Sequence, residues 1–77
     1  MENRMIDPVE IGKRLRILRG IRTRVEIEKK TGISQARLGN YEHGKRIPND
    51  EAKVILSNFY GVKVQDIFFA DNNNETL

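Results

Sequence analysis

Apolar residues along this chain recur at helical spacing in short runs, each opened by a polar residue and the first four closed by a glycine. Ile11, Leu15 and Leu18 follow one another at four and three residues and form one stripe of a helix. Asp7-Pro8-Val9-Glu10 opens it: Asp7 can cap, Pro8 suits the first helical position, and Glu10 stands where a capping box takes an acid. The other face of this helix is basic, with Lys13, Arg14 and Arg16, and Gly20 weakens or ends it. Thr23-Arg24-Val25-Glu26 is a second capping box, for a short helix through about Lys30 with Ile27 inward. Gly32 is a left-handed stop, Ile33 an apolar anchor, and Ser34 the cap of a third helix from Gln35 to about His43. Leu38 and Tyr41 are its inward residues, and Gly44 ends it.

After the Lys45-Arg46-Ile47-Pro48 loop, Asn49 or Asp50 starts a fourth helix to about Tyr60, with Ala52, Ile55, Leu56 and Phe59 inward. Gly61 stops it. A last short helix spans Val64 to Phe69, behind Lys63, a poor cap. No hairpin signal or internal repeat is present. The pattern predicts an all-α domain of five short helices over residues 7–70, with a loose arm at 1–6 and a polar, disordered tail at 71–77.

Composition narrows the chemistry. With 77 residues there is one small domain at most. There is no cysteine and a single histidine, His43, so a zinc site would draw nearly every ligand from carboxylates, and no suitable cluster appears. No apolar run approaches the roughly 20 residues that span a bilayer, and no signal-peptide core follows Met1. These features point to a small, reduced, cytoplasmic domain without metal or cofactor. Paired carboxylates in an apolar setting, a nucleophile beside a base, and a phosphate-cradling glycine loop are all missing, so an enzyme is not expected.

The formal charge of +3 hides an asymmetry. Residues 1–46 hold twelve of the fourteen Lys/Arg and six acids, a net +6, whereas residues 47–77 carry a net −3. A basic half joined to an acidic half points to a polyanionic partner on one side.

Two short helices joined by a glycine turn make a helix-turn-helix unit: Thr23 to Lys30, the turn Thr31-Gly32-Ile33, and Ser34 to His43. The outer face of the second helix can enter the DNA major groove. That face reads Gln35, Ala36, Arg37, Gly39 and Asn40. Gln and Asn can each pair with adenine through two bonds, Arg can read guanine or hold a phosphate, and the Ala36 methyl suits thymine. Gly39 inside a helix costs about 1 kcal/mol against alanine, so it serves close approach either to the groove or to a neighbouring helix.

From about Ile11 to Phe69 the chain resembles the phage repressor and Cro type of helix-turn-helix domain, the XRE family. The strings that carry the resemblance run from Ile11 to Arg19, from Gly32 to Ser34 and from Tyr41 to Pro48. Tyr60-Gly61-Val62 and Asp66-Ile67-Phe68 complete them. It implies a compact, lambda-repressor-like bundle of five helices. The implied function is a sequence-specific regulator of transcription, most simply a repressor, which binds double-stranded DNA as a homodimer near a bacterial or phage nucleoid. By position, the base readers would be Gln35, Ala36, Arg37 and Asn40. The phosphate contacts would be Arg24, Ser34 with the backbone N–H groups at the helix start, Lys45 and Arg46. Glu42 would pair with Arg19 as a structural ion pair. The dimer contact would draw on Phe59, Val64, Phe68 and Phe69, of which Phe68 and Phe69 cannot easily both point inward.

Three departures stand out. The link between the first two helices is about two residues short, Glu28 replaces a small residue, and Thr31 replaces an apolar one. The rival reading is a protein-interaction module of the same fold, antitoxin-like or an adaptor. Such a module would be expected to lose the Arg24, Arg37, Lys45 and Arg46 charges and gain exposed apolar residues.

Overall fold

The structure, a computed structural model, describes residues 7–69; the arm expected at 1–6 and the tail expected at 71–77 lie outside the described residues. Five helices and no strand occur among those residues: α1 (Pro8–Arg19), α2 (Arg24–Thr31), α3 (Gln35–Glu42), α4 (Asp50–Tyr60) and α5 (Val64–Phe68). The ends of α2, α3 and α5 differ by one residue from the sequence reading, the margin within which helix ends fray.

Side-chain caps set where the helices begin. Asp7 accepts the Val9 N–H at 3.0 Å, and Thr23 and Glu26 complete a reciprocal capping box on α2. Ser34 Oγ accepts the Arg37 N–H at 3.1 Å. Asn49, not Asp50, caps α4, taking the Ala52 N–H at 2.8 Å. Lys63 makes no side-chain cap bond, so the start of α5 lacks this support. Each of the polar caps contributes about 1 kcal/mol.

The apolar stripes meet in one core. Ile11 and Leu15 of α1 pack with Ile27, Leu38, Leu56 and Phe68 from the other four helices, and Ile33 closes the turn from beneath. Leu18, Ile55 and Phe59, also expected inward, are only partly buried at its margin, as is Val64. Burying a Leu, Ile or Phe side chain contributes about 1.5–3 kcal/mol.

Phe68 and Phe69 divide as two neighbours at a helix end must. Phe68 is 1% exposed and belongs to the core, whereas Phe69 is 48% exposed. This corrects the expectation that Phe68 offers a dimer contact. Successive helical residues point about 100° apart, and the inward direction at the end of α5 belongs to Phe68. The Lys53 ammonium sits 4.8 Å from the Phe69 ring centroid.

Gly12 decides how closely α1 approaches α3. A Cβ built there would lie 2.9 Å from the Tyr41 carbonyl oxygen, closer than real Cβ atoms come to backbone. Only glycine allows the two helices this contact, which explains a residue that costs about 1 kcal/mol in helix propensity.

Candidate nucleic-acid interface

The unit from α2 to α3 is held by local chemistry. Gly32 adopts φ +81°, a left-handed conformation that residues with a Cβ rarely take, and its N–H donates to the Glu28 carbonyl at 2.8 Å. Thr31, which stands where an apolar residue was expected, stitches the turn. Its Oγ1 donates to the Ile27 carbonyl at 2.7 Å and accepts the Ile33 N–H at 3.1 Å. The short link between α1 and α2 is tied by Arg19 Nη1 to the Arg22 carbonyl (3.0 Å) and by Arg22 Nη1 to the Leu18 carbonyl (3.3 Å).

Leu38, Tyr41 and Glu42 occupy the buried side of α3. The open arc runs from Gln35 through Gly39, Ala36 and Asn40 to Arg37, by the rotation of about 100° per residue. Gln35, Ala36 and Arg37 are exposed, and Asn40 is half-buried. The centre of the arc is thus lined by small residues, with the longest side chains at its edges. Gln35 Nε2 donates to Glu28 Oε1 at 3.2 Å across the turn. At the other edge Arg37 Nε and Nη2 donate to the Tyr41 hydroxyl at 3.2 and 2.9 Å.

Gly39 separates the two uses that a helical glycine can serve. A Cβ there would meet nothing nearer than Arg24 Nη1 at 3.7 Å, an ordinary contact. Packing within the protein therefore does not require glycine at 39, in contrast to Gly12.

Three arginines converge on Glu42. Its side chain is 2% exposed. Arg19 Nε donates to Oε2 at 2.8 Å, and Arg24 donates to Oε1 from Nη2 at 2.9 Å and from Nε at 3.2 Å. Arg16 Nη1 donates to the Glu42 main-chain carbonyl. Arg24 is thus a member of the ion pair, a role that the sequence alone did not suggest: eighteen residues and a helix turn separate it from Glu42, and no local spacing connects them. Its Nη1 remains beside Gly39, and its side chain is 30% exposed.

Two of the three cations on the basic face expected on α1 reach helix-end carbonyls, although Arg16 stays exposed. Arg14 Nη1 donates to the Ile67 carbonyl at 2.8 Å, near the C-terminal end of α5, as Arg16 does at the end of α3. Cations suit helix C-termini, where unpaired carbonyls concentrate negative potential. Lys13 makes a 3.5 Å surface pair with Glu10.

Lys45 and Arg46 follow α3 with exposed side chains. Their backbone N–H groups both donate to the Asn40 carbonyl, at 2.8 and 3.3 Å, which fixes the loop against the end of the helix. Tyr60 of α4 lies near the Glu42 cluster: burial, then the Glu42 charge, pushes its hydroxyl pKa up to about 12. Among the described residues no group of His, Asp or Glu could hold a metal ion, and no helix is long and apolar enough to cross a membrane.

A family model described as helix-turn-helix matches residues 13–67, and the chain belongs to that family, of the XRE type. Two solved structures are similar to it. One is a crystal structure of the DNA-binding domain of BldD, at 28% identity and TM-score 0.68, covering 80% of this chain and 93% of that one. The other is the BldD DNA-binding domain of S. venezulae, at 27% identity and TM-score 0.69, covering 80% of this chain and 96% of that one. No match among curated proteins reaches significance.

Proposed function

We propose that this chain is a DNA-binding regulator of transcription rather than an enzyme, and that it reads duplex DNA in the major groove with α3. The observation that carries this reading is the open arc of α3, with Gln35, Ala36, Arg37 and Asn40 outward and cations at its borders. Membership of the helix-turn-helix family and similarity to two DNA-binding domains support it. Gln35 and Asn40 would pair with adenine edges, Ala36 would touch a thymine methyl, and Arg37 would use the Nη1 end left free by Tyr41. Arg24 Nη1, Lys45, Arg46 and the N-terminal end of α3 behind Ser34 would hold phosphates. Repression is the regulatory mode proposed, by occupation of the DNA site.

We also propose a homodimer on a palindromic site, with half-sites about one helical turn apart. Phe69, half exposed, is its central contact, and the partly buried Phe59 and Val64 are the further candidates. Sedimentation at micromolar concentration should show a dimer that Phe69→Ser disperses; a wild-type monomer both free and on DNA would overturn it.

Selection of bound duplexes from a random pool tests the reading itself. The expected result is a palindromic consensus. Affinity for it should fall by roughly 10³ to 10⁵ between 50 and 200 mM salt if six to ten phosphates are contacted. No duplex binding at low salt, or binding indifferent to salt, would overturn the assignment.

A further inference from the structure

Among the long side chains on the open arc of α3, Gln35 is held from outside its own helix. We propose that Glu28 is a positioning residue for base reading, which orients the Gln35 amide toward an adenine. This rests on the DNA-reading function proposed above.

Glu28 lies on α2, half-buried against the start of α3. Its Oε1 accepts from Gln35 Nε2 at 3.2 Å, and its side chain makes no other bond among the described residues. An ionised carboxylate only accepts, whereas an amide has an accepting oxygen and two donating N–H groups. The contact therefore selects one of the two amide orientations: the nitrogen end faces Glu28 and the oxygen faces away. One N–H is used, and the second N–H and Oε1 remain. Those two groups are the donor and acceptor that adenine N7 and N6 require.

A carboxylate is a poor choice beside DNA on grounds of affinity, because it repels the phosphates of every sequence alike. The residue thus has a two-part signature that a merely structural role lacks. It lowers binding to all duplexes while raising preference at one base pair. Arg37 differs in this respect, since its tether is a hydroxyl, that of Tyr41 on the same helix.

The test measures affinities of the full chain for its selected duplex, for that duplex altered one pair at a time, and for random duplex. Gln35→Ala first identifies the pair that Gln35 reads. Glu28→Ala is expected to lower preference at that pair by about 2- to 10-fold, the ordering cost of one freed side chain. The same variant should bind random duplex about twofold more tightly. Glu28→Gln should gain the same twofold and lose less of the preference than Glu28→Ala, because its amide oxygen still accepts the bond while its N–H groups also admit the flipped Gln35. Full preference in Glu28→Ala, or a loss spread evenly over all pairs, would overturn the proposal. Failure of the DNA-reading function would look different: the unsubstituted protein would then select no duplex at all.

Discussion

Arg14, Arg16 and Arg19 on α1 end on protein oxygens, whereas Lys45 and Arg46 after α3 end in solvent. Both groups belong to the same +6 half of the chain. The difference lies in what each helix crosses. α1 passes the C-terminal ends of α3 and α5, where carbonyls lack helical partners and attract guanidinium groups. The loop after α3 meets the end of that helix through its backbone N–H groups, which leaves its two cationic side chains in solvent. Arg24 stands between the two groups, with Nε and Nη2 on Glu42 and Nη1 at the open face. Net charge thus exaggerates the size of the interface, because part of it is spent on holding α3 in place.

The sharpest way to break this comparison is Arg19→Ala. It leaves the buried Glu42 with Arg24 as its remaining side-chain partner, and unfolding free energy should fall by about 3 kcal/mol. Denaturant melts check this, and the slope of duplex affinity against salt should not change. A stable variant with a shallower slope would place Arg19 on DNA instead.

Gly12→Ala and Gly39→Ala form the next test, since the same substitution should act in opposite directions. At 12 the added methyl strikes the carbonyls at the end of α3, and about 2–3 kcal/mol of stability should be lost. At 39 it meets only the tip of Arg24, and thermal unfolding should show a gain of up to about 1 kcal/mol from helix propensity. Duplex binding by Gly39→Ala should nonetheless weaken, because the methyl stands at the centre of the open arc.

Lys45→Ala and Arg46→Ala should leave stability within about 0.5 kcal/mol of wild type. Each should reduce the salt slope of duplex binding by about one, equally on selected and random sequences. Asn40→Ala, by contrast, should cost about 1–3 kcal/mol on the selected site and little on random DNA. Equal losses on both duplexes would remove Asn40 from base reading.

The smallest effect expected is alkaline. The Tyr60 hydroxyl is held neutral in the fold, with its pKa raised from 10.0 to about 12. The unfolded chain loses that proton first, so stability should decline as pH rises from about 10 toward 12. The loss should stay within about 1 kcal/mol because the ring is half in water. Tyr60→Phe should flatten this decline in pH-dependent melts.

Much of this was legible locally. Asp7, Thr23 and Ser34 announce their helices because a cap acts within three residues, and Gly32 announces the turn because left-handed backbone has few other occupants. Ile11, Leu15, Ile27 and Leu38 fall inward because helical spacing puts them on one side. The open arc of α3 follows from the same spacing, since fixing Leu38 and Tyr41 inward fixes Gln35, Ala36 and Asn40 outward. The long-range partners were less accessible. The Arg19 pairing with Glu42 came from the family resemblance, and Arg24 joining it came from neither source. Glu28 and Thr31 stood out as departures, yet Thr31 accepts the Ile33 N–H within the turn and Glu28 accepts from Gln35 across it.

By itself the sequence determined the five helices, the all-α core, and a helix-turn-helix with a polar outer face. Those properties depend on neighbours a few residues apart, and periodicity encodes them directly. Only the tertiary structure decided which cations remain outward, which of Phe68 and Phe69 is buried, and why Gly12 and Gly39 differ. Each of these depends on the distance between helices that are far apart in the chain. A carbonyl, a carboxylate or an open space at that distance gives the same residue type a different role.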